Sequence, residues 1–198
     1  MKPILFSTPM VQAILDGRKT QTRRVIKING CPITSPKESL ELTKEGLIYH
    51  SFCSMSGYYK LLYQPGDILW VRETWSKDEN GEYVYRTNYG TTEDDSFPPS
   101  MFKWKPSIHM PREAARIFLK VTNVRVERLQ DITEDEAIKE GAKAYGQNNC
   151  SGTSARIAFA EIWDKTTTEY EWRTNPWAWV IEFEKISKEE VERLEGLK

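Results

Sequence analysis

The chain has 198 residues, 39% of them hydrophobic, with 28 Lys and Arg against 29 Asp and Glu and a net charge of −1. That balance excludes the global basicity of many nucleic-acid-binding proteins but not a local basic patch, and the length suits one domain with insertions or two small ones. Three widely spaced cysteines (Cys31, Cys53, Cys150) give no disulfide framework, and two distant histidines (His50, His109) without a zinc-ligand spacing give no metal site to expect.

In chain order, "PILFS" reads as a strand. "STPMVQAILDG" reads as a helix, with Ser7 or Thr8 as N-cap, Pro9 in the first turn and Gly17 as the stop. Met10, Val11, Ile14 and Leu15 fall on one face and are expected in the core. After Gly17 the period changes: "KTQTRRVI" alternates as a strand, with Thr20, Thr22 and Arg24 on one face and Gln21, Arg23 and Val25 on the other. Residues 28–62 read as an insertion, with a hairpin as one form it can take.

"QPGD" is a turn that launches the strand "ILWVRETW", followed by the strand "EYVYRT" and an acidic loop at 88–100. Residues 112–129 form the longest β candidate, with a phase slip near Thr122–Asn123 that suggests a bulge or turn. "ITEDEAIKEGA" is a short helix with a capping box, Thr133 with Glu136, ended by Gly141. "SARIAFAEIWDKT" is a second amphipathic helix, and "NPWAWVIEFEKI" a closing strand with Trp177, Trp179, Ile181 and Phe183 on one face. The expected class is α+β, a mixed, mainly antiparallel β-barrel with peripheral helices. One domain over 1–186 is expected, with insertions at about 28–62 and 76–103 and a charged tail at 187–198. No apolar run reaches membrane-spanning length and "MKPILFSTP" is too short for a signal peptide, so a soluble cytoplasmic protein without a membrane partner is expected.

The stretch "GRKTQTRR" concentrates Arg18, Lys19, Arg23 and Arg24 in a chain that is otherwise nearly neutral. A lysine beside a hydroxyl is a coherent base–nucleophile pair, and neighbouring cations or burial lower the lysine pKa. The alternative is a basic edge strand, where cations block edge pairing. Glu140 at a helix end and Glu73 in "WVRETW" can position a lysine or move a proton; a structural ion pair is the competing reading for each. Arg72 points to the opposite strand face from Glu73. "WKPSIHMPREAAR" displays Ser107 and His109 between prolines, without the glycine-flanked elbow of a serine hydrolase. Trp75 and the other tryptophans are stacking or core residues. With no phosphate-cradling glycine loop, no cofactor is expected.

Four segments, "ILDGRKTQTRR", "QPGDILWVRETW", "VERLQDITEDEAIKEGA" and "NPWAWVIEFEKI", together with "WKPSIHMPREAARI", resemble the ASCH-domain family of the PUA-like superfamily, in its phage and prophage branch. The resemblance spans about residues 3–186. It implies a PUA-like β-barrel and a cleft lined by a "GxKxxxxR"-like motif, here Gly17, Lys19 and Arg24. It also implies a relation to a small amidohydrolase that deacetylates N4-acetylcytidine, whose lysine, threonine and glutamate match Lys19, Thr22 and Glu140. Family members were proposed as RNA-binding modules, and one has been described as a ribonuclease, so the resemblance does not fix one reaction. The expected partner is a modified nucleoside or RNA. Lys19, Thr22 and Glu140 are the expected catalytic residues, with Arg24, Arg72, Glu73, Ser107, His109 and Trp75 as substrate-binding residues.

Overall fold

A computed structural model of the chain describes residues 1–28, 30–35, 39–43, 47–52, 55–89, 102–143, 154–167 and 170–196. Cys53, Cys150 and the acidic loop from residue 90 onward lie outside them. The chain divides into two compact units: Met1–Gly17, Gly66–Lys120 and Glu184–Lys198 form the first, and Arg18–Pro65 with Val121–Phe183 form the second.

In the first unit, strand β1 (Lys2–Leu5) runs parallel to β8 (Ile68–Arg72), with Lys2 opposite Leu69 and Leu5 opposite Arg72. Between them in sequence comes helix α1 (Thr8–Leu15), with Ser7 as N-cap and Pro9 in its first turn. It buries Val11, Ala13 and Ile14; of the core face expected from spacing, Met10 and Leu15 are only partly buried, and Ala13 takes a buried place not expected for it. The other side of β8 pairs antiparallel with the first residues of β11 (Phe118–Arg128), Phe118 opposite Trp70. Leu69, Val71 and Leu119 are fully buried, each such aliphatic side chain contributing about 1.5–3 kcal/mol. Strands β9 (Trp75–Lys77) and β10 (Tyr83–Tyr85) make a short antiparallel pair over Met110 and Ala114. The charged tail is helix α4 (Lys188–Gly196), which buries Val191 against Ile68, Trp70, Phe118 and Ile186.

Two predicted strands end sooner than their alternation suggests. "ILWVRETW" breaks at Glu73, whose amide donates to Met110 Sδ at 3.2 Å instead of to a neighbouring strand. The run from 112 begins as a 3₁₀ turn, Arg112–Ala114, closed by the Ala114 and Ala115 amides on the Pro111 and Arg112 carbonyls. Pro111, with its fixed φ, sets that turn and delays β11 to Phe118. The slip at Thr122–Asn123 is visible as two successive exposed residues within an unbroken strand.

In the second unit, β2 (Gln21–Val25) pairs antiparallel with β12 (Trp177–Ile186), Gln21 opposite Glu182 and Val25 opposite Ala178. Gln21, Thr22 and Arg23 are all buried, so neither face of β2 meets water at its start. The insertion is more ordered than a single hairpin: β3 (Lys27–Ile28) pairs with β4 (Cys31–Pro32), and β5 (Ser39–Leu42), β6 (Leu47–Phe52) and β7 (Met55–Lys60) form an antiparallel meander. Helices α2 (Glu134–Lys139) and α3 (Ala155–Thr166) pack through Ala137, Ala155, Ala158, Phe159 and Trp163. Thr133 caps α2 with the reciprocal Glu136 contact expected of a capping box, and Ser154 caps α3.

The described residues therefore form an α+β chain with mostly antiparallel ladders and four α-helices. None of these ladders closes on itself, and no described helix is long and apolar enough to cross a membrane.

The turn before β8 supplies a test. Gly66 has φ +87°, with no atom within 4 Å of a Cβ built there, so Gly66→Ala meets backbone strain alone. The expected loss is about 1–2 kcal/mol in a urea titration; an unchanged midpoint contradicts the assigned turn.

Candidate active site

Lys19 sits between the end of α1 and the start of β2, in a segment fixed from two sides. The Thr20 amide donates to the Lys139 carbonyl at 2.9 Å, and the Thr20 carbonyl accepts the Phe183 amide at 2.9 Å. This places the lysine at the C-terminal end of α2, where exposed carbonyls favour a cation. Gly141, at φ +94°, turns the chain there, and the Arg18 guanidinium donates to its carbonyl at 3.2 Å.

Lys19 is 2% exposed, and its side chain ends in a buried ammonium. It donates to the Glu140 carbonyl at 2.7 Å, to Glu140 Oε2 at 3.0 Å and to the Gln21 carbonyl at 2.8 Å. Three acceptors match the three N–H donors of an ammonium; none of these three bonds runs to Thr22. Burial pushes the Lys19 pKa below its ordinary 10.5; the Glu140 carboxylate opposes this, and the Arg24 and Arg23 charges reinforce it.

Glu140 is held by two cations at once. Arg23 Nη1 donates to Glu140 Oε1 at 3.3 Å, while Arg23 Nη2 donates to Glu127 Oε2 at 2.9 Å and Glu136 Oε2 at 3.1 Å. Arg125 adds ion pairs to Glu127, Glu136 and Glu182. Lys19, Arg23 and Arg125 thus alternate with four carboxylates in one continuous network. Buried Arg23 Nε and Gln21 Nε2 donate to no acceptor among the described residues. Unpaired donors in such a network are a usual mark of a place where a ligand atom or water is taken.

Thr22 is 1% exposed and stands opposite Ile181 in the β2–β12 ladder, on the strand face shared with Arg24. Half-buried Arg24 donates weakly to the Arg23 carbonyl, at 3.5 Å. Burial lowers its pKa against the opposing charges of Glu140 and Tyr63, and a guanidinium remains a cation under such pressure.

A cavity of about 410 Å³ opens beside this strand. Arg23, Arg24 and Val25 line it from β2, Lys27 from β3, and Trp163 and Thr166 from α3, with Tyr170 and Leu62 completing the wall. Lys27 Nζ lies 4.9 Å from the centroid of the Tyr170 ring, an exposed cation–π contact of about 0.5–1 kcal/mol. Lys19, Thr22 and Glu140 are not among the lining residues. Arg23 belongs to both: it bonds Glu140 and lines the cavity.

The remaining predicted residues lie in the first unit, in a different arrangement. Glu73 is 1% exposed and gripped bidentately by Arg116, Nε to Oε1 at 2.8 Å and Nη2 to Oε2 at 3.0 Å. Thr87 Oγ1 donates to the same carboxylate at 2.7 Å. Arg72 donates to the Ile108 carbonyl and lies 5.4 Å from the Trp70 ring centroid. Trp75 is core, packed on Met110 and Ala114 with Lys105 over its ring at 4.6 Å. Ser107 and His109 occupy a 3₁₀ turn that carries no buried residue. The structure therefore joins Lys19 with Glu140, sets Arg24 in a cavity wall, and engages Glu73 in a separate ion pair.

Sequence reasoning treated Arg23 only as a neighbouring charge and Glu136 only as the capping-box partner of Thr133, and did not single out Arg125, Glu127 or Glu182. The two-residue period of a strand puts Gln21 with Arg23 on one face, and Arg125 with Glu127 on one face, but does not say that these faces meet. No group of three or more His, Cys, Asp or Glu among the described residues is arranged to hold a metal ion. No protein-family model, curated protein or solved structure matches the chain.

The network makes an acid-side prediction. Burial raises the Glu136 pKa, but the Thr133 amide and the Arg23 and Arg125 charges outweigh it and hold the group below 4.5. A carboxylate depressed in the folded state stabilises above its unfolded pKa and loses that contribution as pH falls through the folded value. Glu136→Gln keeps the capping box, since glutamine serves at that position. It is expected to cost about 2 kcal/mol near neutrality, with the wild-type and variant stabilities converging below pH 4.5. Parallel stability curves down to acid would contradict the assigned contacts.

Proposed function

We propose that the chain is an amidohydrolase acting on an N-acylated nucleobase, of the kind that releases the acyl group of N4-acetylcytidine. The observation that carries this reading is the buried Lys19–Glu140 contact at 3.0 Å, with Arg23 sharing the carboxylate. Two cations compete for one carboxylate, and the guanidinium keeps its proton, so the proton that can leave is the one on Lys19. Once neutral, the amine would serve as base toward the hydroxyl of Thr22, three positions further along the chain in β2.

In the proposed reaction, neutral Lys19 takes the Thr22 Oγ proton as the oxygen attacks the acyl carbonyl carbon. Arg24, on the same strand face as Thr22, faces the developing oxyanion. The intermediate collapses with cleavage of the C–N bond, and the leaving amine takes the proton back from Lys19. Water then cleaves the acyl-threonine, Lys19 accepting its proton and returning it to Thr22 Oγ. The net change is amide plus water to amine plus carboxylic acid. Thr22 is almost fully covered, so a shift of the Arg24 wall is part of substrate entry. The ASCH-type resemblance, with its PUA-like barrel and cytoplasmic setting, supports the same assignment of Lys19, Thr22 and Glu140.

A second reading, a non-catalytic RNA-binding module, draws on the cavity walls, where Arg24, Lys27 and Tyr170 stand without the three proposed catalytic residues. Turnover separates the two. Incubated with N4-acetylcytidine and longer N4-acylcytidines, the protein is expected to release cytidine. Lys19→Met, which keeps the aliphatic stem and leaves Glu140 paired to Arg23, is expected to lower kcat by about 100- to 10,000-fold. Thr22→Ala should lose the acyl-enzyme route while Thr22→Ser retains it. No turnover on the whole panel, or full activity in folded Lys19→Met, would overturn the enzyme reading.

A further inference from the structure

Strand β2 is the last strand of its sheet: β12 pairs with one side of it, and among the described residues no strand pairs with the other. The Ile26 amide donates to the Trp177 carbonyl and the Phe183 amide to the Thr20 carbonyl, each at 2.9 Å. Bonded positions alternate along an antiparallel strand. Thr22 and Arg24 therefore direct their backbone groups to β12, while Gln21, Arg23 and Val25 direct theirs to the free edge. At one end that edge is already taken, since the Gln21 carbonyl accepts Lys19 Nζ at 2.8 Å. Just past the other end, the Ile33 amide donates to the Ile26 carbonyl at 3.2 Å. Between these stops the Arg23 and Val25 amides and the Val25 carbonyl meet no backbone partner among the described residues. The Arg23 carbonyl takes only the 3.5 Å contact from Arg24 Nη1.

Open edges are usually blunted by outward charges. Arg23 does not serve that purpose, because its side chain is 0% exposed and turned onto Glu127, Glu136 and Glu140. Arg23 nonetheless lines the cavity of about 410 Å³, so it is the backbone at this position that faces the hollow. Trp163, Thr166 and Thr167, at the end of α3, wall the same cavity. A slot between a strand edge and a helix admits one extended chain and shuts out a second sheet. Its described lining residues include Arg24 and Lys27 and no Asp or Glu. We propose that the free edge of β2 takes an extended acidic segment of a partner protein as an added strand, bonded through its backbone to Arg23 and Val25, with its carboxylates toward Arg24 and Lys27. Strand addition of this kind draws affinity from main-chain bonds and specificity from side-chain contacts. A phosphodiester backbone only accepts hydrogen bonds and leaves the outward carbonyls unmet, whereas a peptide backbone matches both the amides and the carbonyls. The assignment is independent of the amidohydrolase reading.

The test uses the full chain and a fluorescein-labelled hexapeptide of alternating valine and glutamate, blocked at its far end, read by fluorescence anisotropy. Two further peptides carry N-methyl groups on alternate amides, one in each register. Only the amides that face β2 contribute to an added strand, so one register is expected to weaken binding about tenfold and the other to leave it within about twofold. A hexapeptide with lysine in place of glutamate should bind at least about tenfold more weakly, and the glutamate peptide should weaken with salt. In the protein, Val25→Pro removes an outward amide at a strand edge, where proline is admitted, and is expected to weaken the peptide about tenfold. Lys27→Glu, at an exposed position, should weaken it without touching the backbone. No saturable binding up to about 1 mM peptide, equal loss in both N-methyl registers, or equal binding of the lysine peptide would overturn the proposal. So would a dimer of the free chain in sedimentation that Val25→Pro dissociates, since a second copy would then hold the edge. Displacement of the peptide by an equimolar oligocytidine, with no effect of Val25→Pro on either ligand, would assign the slot to nucleic acid instead.

Discussion

The second unit is organised around a carboxylate, Glu140, shared between a lysine and an arginine that reach it from the same stretch of chain. Removing one partner from a buried ion pair costs about 3–5 kcal/mol, because the charge left behind has lost its water and its counter-charge. Every element that delivers Lys19, Arg23 and Glu140 is therefore held to its position: α2 by its capping box and Gly141, β2 by its ladder with β12, the 18–20 segment by backbone hydrogen bonds to Lys139 and Phe183. Arg125 extends the same logic outward to Glu127, Glu136 and Glu182. The α2–α3 core, apolar and rich in alanine, allows close approach of the two helices and fixes the end of α2 at which Glu140 sits.

Such a network favours function over stability. Replacing buried ion pairs by apolar groups is often neutral or stabilising, so four carboxylates and three cations in one cluster ask for a reason beyond holding the fold. A lysine forced to share its carboxylate is one such reason, since sharing leaves desolvation to dominate its proton affinity. Glu73 and Arg116 in the first unit make the contrast. There a single bidentate pair, braced by Thr87, matches one charge with one charge.

Local signals carried well from sequence to structure. The Thr133–Glu136 capping box and the glycine after Glu140 located α2 because both act within one helical turn. Glu140 and Glu73 were both offered by the sequence as carboxylates that could hold a lysine; Lys19 bonds Glu140, and Glu73 is taken by Arg116. Arg23 was not read as a bridging residue, because its carboxylates lie 104, 113 and 117 positions away and no local pattern reports such pairing. The strand through Glu73 stopped early for the same kind of reason: a methionine sulfur and an arginine from distant segments took the groups that a sheet would have used. In the 28–62 insertion, strands of two to six residues carry too little periodicity to be placed by alternation alone.

The central claim is that Lys19 holds its proton less tightly than an ordinary lysine. It is tested most directly by a heteronuclear NMR titration of the Lys19 side-chain carbon next to the amine, in the intact chain, assigned by its loss in Lys19→Met. A midpoint below 10.5 is predicted, since burial, reinforced by the Arg24 and Arg23 charges, outweighs the opposing pull of the Glu140 carboxylate; a midpoint at or above 10.5 would mean that Glu140 serves Lys19 as an ordinary partner, and would contradict the account.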